Sequence, residues 1–419
     1  MGGPAAAAAF IKEAQWHLDL TRRCDGSFVY DGGEQYGAGQ TDDNTYTGKS
    51  SYNGLSPNAT YVLTYALPLK KLFITGRELK KRDCLSAKEV AQTIASGRFD
   101  LDRTQKSPQE LLAAFSDWSP IVRCWAAEEL AARPEAKALV PQLMAMAEGK
   151  DAHIRQGACE TLGHLKSAEA LPVFLRLLSH EDRSIRFKAA QAIKKLGPAA
   201  APAVPQILAA VVRTAEPLQP ISWSDPIQFT HGQLAGTLFA GPLTPQVKQV
   251  DKSLLYPAIR VIALNPDAMA RGPLGGYFEA LTVEEAEALA PDILRALLVP
   301  APADTMFSNG IRMGAFKTLT KYYFVEGIDA SVAYAKTQGS HGSENRTAEI
   351  MKEIVKYGSA AKGAIPGLKE VINQFNAEAK AGKFPGGDFN KRRTLPVEEA
   401  IKVIEAATTH PELRSIKAK

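Results

Sequence analysis

Four stretches of this sequence read almost alike: Pro120-Ile-Val-Arg123-Cys-Trp-Ala-Ala, His153-Ile-Arg155-Gln-Gly-Ala158, Ser184-Ile-Arg186-Phe-Lys-Ala189 and Gly310-Ile-Arg312-Met-Gly-Ala315. The first three arginines lie 32 and 31 residues apart. A fixed period of this length is typical of stacked helical hairpins, because a single hairpin cannot bury its apolar face alone. The repeats therefore predict an all-α protein of the α-solenoid type, and they leave its activity open.

Residues with a short side-chain oxygen stand four positions before these arginines. Such a residue accepts a hydrogen bond from a free N–H group of the first helical turn, and an aspartate also suits the positive end of the helix dipole. The spacing predicts that a helix begins after each of them: Ser119, Asp151, Asp182 and Ser308.

A second signal marks the partner helix of each hairpin. An apolar residue followed by proline suits the first helical turn, where the missing N–H group needs no acceptor. Thr282 and Glu285 add the spacing of a capping box. The apolar-proline pairs are Val140-Pro141, Leu171-Pro172, Val204-Pro205, Ala290-Pro291 and Ile365-Pro366.

Together, the capping residue, the Ile/Val-Arg pair, the small residue after it and the proline-opened partner helix resemble the HEAT-repeat family and its phycobilisome-lyase-type subgroup. The resemblance covers residues 107–213. It returns over 303–376, where Ser308 to Leu319 matches Asp151 to Leu162 at six positions beyond the cap. It implies an α-α superhelix that buries Ala158, Leu162, Ile185, Ala189 and Leu319.

Residues 214–300 interrupt the period. A loop rich in proline is expected at 216–226, and helices are expected at 227–239, 251–264 and 282–298. Further along, the Gly/Lys/Arg-rich stretch 377–395 predicts a mobile tail, followed by a last helix over about 396–408.

The N-terminal part differs in character. The pattern Phe10…Gln15…Asp25-Gly26-Ser27-Phe28 resembles one hairpin of the α/α-toroid superfamily that includes the terpenoid cyclases. The whole arrangement also resembles a group of bacterial proteins, without assigned activity, that join a toroid-like segment to HEAT repeats. The predicted organisation is a toroid-like segment (1–104), HEAT-like repeats (105–213), an aperiodic helical insertion (214–300), further repeats (301–376) and a tail with a terminal helix (377–419).

Composition narrows the function classes. The chain has 419 residues, 45% of them hydrophobic, and a formal net charge of only +5. Nucleic-acid binding would favour a strong, clustered basic excess, and only residues 70–82 and 391–393 approach one. No CxxC spacing supports a metal site and no cofactor fingerprint is present, so neither metal nor cofactor is expected. Cys124 and Cys159 are expected to be buried free thiols.

Targeting signals are also weak. No apolar run reaches the length of about 18 residues that a membrane span needs. The N-terminus lacks the basic region of a signal peptide. The compartment is left open, because an exported parent protein is an alternative if Met1 is not the native start.

Three segments offer candidate ligand-binding groups. The loop 31–58 supplies aromatic stacking surface and amide groups, the loop 337–346 supplies charge and an imidazole, and residues 223–231 combine an aromatic, a carboxylate and an imidazole. Each segment has a plain structural interpretation as well: a surface loop, a helix-capping loop with Ser343 as the cap, and a packed insertion. The candidates are Tyr46, Tyr52, Asn53, Trp223, Asp225, His231, His341, Glu344 and Arg346.

The repeat arginines also have two interpretations. One interpretation makes them a basic stripe for a partner. The favoured interpretation is a structural ladder, in which Arg155 and Arg186 each pair with a carboxylate at a neighbouring helix end, because a bidentate pair holds helix ends in register.

The leading functional hypothesis is a non-catalytic scaffold that binds a protein or peptide on the curved surface of the stacked hairpins. An enzyme acting on a glycan or peptide through the loops 31–58 and 337–346 is the first alternative, and an oligosaccharide is the other ligand these loops suit. Nucleic-acid binding is the second alternative.

Overall fold

The computed structural model describes residues 86–88, 91, 99–117, 120–218, 227–299, 308–339, 342–383 and 387–416. The chain divides into two units, Met1–Glu129 and Leu130–Lys419. Helices account for the regular structure throughout the described residues, where extended pairing is limited to one isolated bridge between Phe324 and Arg414. The protein is all-α, as predicted.

The described end of the first unit holds short helices. A capping box starts the second of them, since the Ser107 hydroxyl accepts from the Glu110 N–H and the Glu110 carboxylate accepts from the Ser107 N–H. Leu111 and Phe115 are fully buried. The helices are α1 (Phe99–Asp102), α2 (Pro108–Ala113) and α3 (Pro120–Ala131), the last of which continues into the second unit.

The second unit is built from two rows of helices. The first, here called the proline row, consists of helices that mostly open with proline or contain one, and consecutive members pack together from α6 onward. Proline is compatible with the first turn because its missing N–H would have no partner there. The proline row is α4 (Val140–Ala147), α6 (Leu171–Leu177), α8 (Val204–Ala215), α11 (Lys252–Ala263), α14 (Val283–Leu298), α16 (Glu326–Lys336) and α18 (Ile365–Lys380).

The other row, here called the arginine row, contains the helices of the repeated Ile-Arg motif. Its members also pack on one another in chain order. They are α5 (Ala152–His164), α7 (Arg183–Leu196), α9 (Ile227–Phe239), the pair α12 (Ala268–Arg271) and α13 (Leu274–Glu279), α15 (Asn309–Lys321), α17 (Ser343–Ile354) and α19 (Asp388–Ala406). The short helix α10 (Thr244–Val247) connects α9 to α11.

The segment 214–300, expected as an insertion, supplies helices to both rows. Its predicted helices at 227–239, 251–264 and 282–298 are confirmed as α9, α11 and α14 to within one residue at each end. In addition, α13 packs against α15 and α14 against α15 and α16, so packing continues across residue 300. Sequence periodicity is lost here while the stacking of hairpins is kept.

The core of the second unit lies between the two rows. Five residues were predicted to be buried from the repeat pattern, and all five have no exposed surface: Ala158, Leu162, Ile185, Ala189 and Leu319. Aliphatic and aromatic side chains of both rows, such as Phe174, Ile207 and Phe316, complete this core.

Two of the four predicted caps, Asp151 and Asp182, are confirmed. Asp151 accepts from the His153 and Ile154 N–H groups, and Asp182 accepts from Ser184 N–H. Ser308 was wrongly expected to cap α15, because its backbone is already helical and its side chain makes no capping bond. Ser119 lies outside the described residues.

Two expectations about helix bounds are wrong. Pro291 does not open a helix but lies inside α14, which begins at the Thr282–Glu285 capping box. The stretch 377–395, expected as a mobile tail, is mostly helical, because α18 extends to Lys380 and α19 begins at Asp388. Burial of Arg393, whose guanidinium lies 3.8 Å from the Phe375 ring centroid and 3.2 Å from the Glu378 carboxylate, holds the start of α19 on α18.

Residues 407–416, here called the C-terminal strap, leave α19 and cross the ends of several helices. Ser359 N–H donates to the Thr409 carbonyl at 2.9 Å. Val325 N–H donates to the Arg414 carbonyl at 2.8 Å, and Arg414 N–H donates to the Tyr323 carbonyl at 3.0 Å. The strap is thus held by main-chain pairing, as an added strand would be.

Candidate partner-binding groove

The repeat arginines serve the fold through backbone carbonyls. Arg123 donates to the Asp117 carbonyl at 2.7 Å, Arg155 to the Gly149 carbonyl at 3.1 Å and Arg186 to the His180 carbonyl at 2.7 Å. In each case the acceptor lies six residues before the arginine. The guanidinium therefore folds back over the start of its own helix and fixes the turn that precedes it.

The predicted ladder of arginine–carboxylate pairs is wrong for Arg155 and Arg186. Within the part of the chain that the structure describes, neither forms an ion pair with a carboxylate, although Asp182 partly offsets the lowering of the Arg186 pKa by burial. The physical reason is that the aspartates at the helix starts already accept hydrogen bonds from backbone N–H groups. Carbonyls of the preceding turn, which otherwise lack donors, satisfy the arginines instead.

A fourth member of this set was missed. Arg271 donates to the Asn265 carbonyl, again six residues earlier, and also to the Val299 carbonyl at 2.9 Å. Burial, together with the nearby Arg312 charge, lowers the pKa of Arg271 to about 10. Asp267 stands four residues before Arg271, so the cap-to-arginine spacing was present in the supposedly aperiodic segment and would have located it.

The described surface carries a basic groove on the arginine row, where the C-terminal ends of α5 and α7 meet α9. It is open to solvent and has a volume of about 620 Å³. Four lysines and a histidine face one glutamate there, so the groove carries an excess of positive charge. The lining residues are Glu160, Gly163, His164, Lys166, Lys188, Gln191, Lys194, Lys195 and Gln233.

Close packing of α5 on α7 places these side chains together. A Cβ atom at Gly163 would lie 3.0 Å from the Cα and Cβ atoms of Ala192, so glycine permits this approach of the two helices. Lys166 follows α5 with a positive φ of 52°. This left-handed residue ends the helix and directs the chain onward to α6.

Inside the groove, part of the charge is compensated. The Lys188 Nζ atom lies 2.6 Å from a Glu160 carboxylate oxygen, and the Lys195 Nζ atom lies 2.7 Å from His164 Nε2. Lys166 and Lys194 are exposed and make no side-chain hydrogen bond or ion pair within the described residues. They are the two cations best placed to meet an incoming anionic group.

Cys159, which precedes the groove residue Glu160 in α5, is fully buried, and burial raises the pKa of its thiol to about 12. The thiolate form, which is the reactive one, is therefore suppressed at neutral pH. Cys124 is half-buried rather than buried, and neither of these two cysteines forms a disulfide.

A second groove, of about 460 Å³, lies on the proline row between α6 and α8. Arg176 lies 2.6 Å from the Glu148 carboxylate, whereas Arg213 donates to the neutral Ser179 hydroxyl at 2.9 Å. This groove therefore holds two cations, one of them ion-paired, against four lysines in the basic groove.

Six of the nine candidate site residues lie outside the described residues, namely Tyr46, Tyr52, Asn53, Trp223, Asp225 and His341. The enzyme hypothesis based on the loops 31–58 and 337–346 stays a prediction. Among the residues that are described, no cluster of three His, Cys, Asp or Glu side chains is placed to hold a metal ion.

His231, the described member of the 223–231 candidates, lies in α9. It has no exposed surface, and its Nε2 atom lies 2.9 Å from the Thr214 hydroxyl. Burial, with a smaller effect of the Arg186 charge, lowers its pKa from 6.5 to about 4. His231 is thus neutral at physiological pH and packs α9 against α8.

Glu344 and Arg346 lie at the start of α17. Arg346 Nε donates to the Gln338 side-chain oxygen at 2.7 Å. Gly342, in the left-handed conformation, precedes the helix, and Ser343 is its buried first residue, so Ser343 is not the cap. Arg346 is therefore engaged with the end of α16 and Ser343 is buried, and the basic groove lies elsewhere on the arginine row.

Comparisons with known proteins agree with this architecture. Residues 108–178 and 140–219 match the model for HEAT repeats. Residues 1–76 match a domain of unknown function, DUF6288. Among curated proteins, none matches the chain at a significant level.

Residues 108–219 of this all-α chain therefore carry HEAT repeats, which form helical-repeat scaffolds often used in protein binding. The toroid-like hairpin and the phycobilisome-lyase-type subgroup stay predictions. A crystal structure of an engineered protein from the Northeast Structural Genomics Consortium is similar at 15% identity over 77% of this chain and 97% of that chain, with a TM-score of 0.30.

One stretch of the described residues, 183–215, is long and apolar enough to cross a membrane on length and composition alone. It consists of α7, a 3-10 segment and α8, with Gly197 at a φ of 59° between them. Half of its apolar window is buried inside the protein. Both helices belong to the stacked rows, which accounts for their apolar character.

Proposed function

We propose that this chain is a non-catalytic helical-repeat scaffold that binds an acidic protein or peptide in the basic groove formed by α5, α7 and α9. The main support for the proposal is that one open groove contains four lysines: Lys166, Lys188, Lys194 and Lys195. Complementary charge steers a partner to such a surface and selects against partners of the wrong sign. The superfamily supports a binding role rather than a catalytic one.

An acidic protein segment is favoured over nucleic acid on two grounds. The groove is lined by no phenylalanine, tyrosine or tryptophan on which a base could stack, and its one imidazole, that of His164, lies 2.7 Å from the Lys195 Nζ atom. Of the predicted basic run 391–393, Arg393 is buried and Arg392 lies 3.2 Å from the Asp388 carboxylate.

The test uses fluorescence anisotropy of the full chain with a labelled peptide of alternating glutamate and serine. A lysine–serine peptide serves as the charge-opposite probe. We expect the acidic peptide to bind and the basic one not to bind. Lys166→Glu combined with Lys194→Glu should weaken binding at least tenfold, or about 1.4 kcal/mol.

The matched control is Lys362→Glu combined with Lys369→Glu, which changes net charge equally at exposed positions of α18 and the 3-10 segment before it. Equal loss in both double variants would contradict a localised groove. Tight binding of duplex DNA instead, with log affinity falling by about 0.9 per neutralised phosphate against log salt, would favour the nucleic-acid alternative.

A further inference from the structure

The end of α5 and the end of α15 are two copies of one structure. After α5, Lys166 N–H donates to the Gly163 carbonyl and Ser167 N–H to the Leu162 carbonyl. After α15, Tyr323 N–H donates to the Thr320 carbonyl and Phe324 N–H to the Leu319 carbonyl. In both places the first N–H group donates to the carbonyl three residues earlier, and the next N–H group donates to the carbonyl five residues earlier.

The correspondence extends to conformation and to side chains. Lys166 and Tyr323 are the non-glycine residues with positive φ in the described chain, at 52° and 55°. The Thr161 hydroxyl donates to the Gly157 carbonyl and the Thr318 hydroxyl to the Gly314 carbonyl, both at 2.8 Å. Hence Lys166-Ser-Ala-Glu169 is the counterpart of Tyr323-Phe-Val-Glu326.

The second copy binds an extended segment of the chain. Arg414 of the C-terminal strap pairs with the Tyr323 carbonyl and the Val325 N–H. The Glu326 carboxylate then accepts from the Ser415 hydroxyl at 2.9 Å and from the Ile416 N–H at 3.0 Å. A carbonyl, an N–H group and a carboxylate on four consecutive residues therefore form a site for an extended peptide.

The first copy presents the same three groups without an occupant among the described residues. The Lys166 carbonyl, the Ala168 N–H and the Glu169 carboxylate have no hydrogen-bond partner there. Both Ala168 and Glu169 are exposed. Lys166 also lines the basic groove, so this edge and the groove form one continuous surface.

We infer that the edge Lys166–Glu169 binds an extended, acidic segment of a partner protein by main-chain pairing, in the way that Tyr323–Glu326 binds the C-terminal strap. The inference rests on the proposed function and adds the partner's conformation to it. Main-chain hydrogen bonds would hold the segment, and its acidic side chains would contact Lys166 and Lys194. The strap of a second copy fits less well, because its Arg414 would meet lysines.

The experiment removes a single N–H group. Ala168→Pro abolishes the donor at a position that opens a 3-10 turn, where proline is tolerated, and Ser167 before it has an extended ψ of 102° that proline permits. Ala168→Ser keeps the N–H group and serves as the control. The probe is the labelled glutamate–serine peptide, measured by anisotropy with the full chain.

We expect Ala168→Pro to weaken binding about three- to tenfold, the effect of one backbone hydrogen bond, and Ala168→Ser to leave it unchanged. Unchanged binding by Ala168→Pro, alongside loss in the Lys166→Glu/Lys194→Glu variant, would overturn main-chain pairing and leave the proposed function standing. No binding by the unsubstituted chain would overturn both. A circular dichroism melt of Ala168→Pro checks that the fold is kept.

Discussion

The hairpin ends at 151–169 and 308–326 share their Ile-Arg motif, their helix-ending geometry and their buried leucine, yet their surroundings differ. At 308–326 the C-terminal strap covers the edge, and Arg312 is buried, donating to the Leu297 carbonyl at 2.8 Å. At 151–169 the edge is open, Arg155 is half-exposed, and a basic groove lies alongside. The repeated residues build the scaffold, while the residues that vary between the copies determine what binds to it.

The largest expected loss of stability comes from truncating the buried leucine that both hairpin ends share. Leu162→Ala and Leu319→Ala should each cost about 2–5 kcal/mol of unfolding free energy, because both leucines are fully buried and truncation leaves a cavity. Urea titration of each variant measures the cost. A loss well below 1 kcal/mol at either position would break the equivalence of the two cores.

A second prediction concerns His231, which lies in α9 between the two hairpin ends in the sequence and should make the unfolding free energy depend on pH. His231 in α9 has a folded-state pKa of about 4 against 6.5 when unfolded, so the unfolded chain binds the extra proton over this range. The stability contribution is complete above pH 6.5 and is lost as the pH falls to 4, by roughly 3 kcal/mol. Thermal unfolding from pH 7 to 4 should show this slope, and His231→Gln should flatten it.

The two hairpin ends should differ in how much their repeat arginines contribute to the unfolding free energy. Arg312→Met removes a buried guanidinium that donates to the Leu297 carbonyl and the Thr337 hydroxyl and stacks 4.4 Å from the Tyr334 ring centroid. We expect a cost of about 1.5–3 kcal/mol, and about 1 kcal/mol for the more exposed Arg155→Met. If chemical unfolding gave the same loss of free energy for both variants, the difference in burial would not distinguish the two arginines.

A smaller effect is expected at the strap. Val325→Pro removes the N–H group that pairs with the Arg414 carbonyl and should lower stability by about 1 kcal/mol. Ala168→Pro, the matched change in the uncovered copy, should leave stability within about 0.5 kcal/mol. The comparison would fail if the two prolines had the same effect on the melting temperature.

The sequence was sufficient for what local chemistry determines. Asp151 and Asp182 as caps, the Thr282–Glu285 capping box and the buried Leu162 follow from short-range rules. Pro291 misled because the Thr282 cap, nine residues earlier, had already started the helix, so that this proline lies inside α14 and does not open it. The cap-to-arginine spacing, from Asp267 to Arg271, could have predicted the role of Arg271. It was missed because the repeat period is lost in this segment.

The groove could not be read from the sequence for a different reason. Lys188 and Lys194 appear as ordinary polar positions of an amphipathic helix until α5 packs on α7 at Gly163. Lys166 joins them through its left-handed backbone, which no composition rule demands of a lysine. Sites formed between hairpins depend on the packing of successive units, and that information lies outside any single repeat.

The most direct measurement is hydrogen–deuterium exchange of the full chain with and without the glutamate–serine peptide. We expect slower exchange at residues 164–168 when the peptide binds, and no change at 321–325, where the strap already occupies the edge. Binding without protection at 164–168, or with equal protection in both copies, would contradict the claim that the open hairpin end beside the basic groove is the partner site.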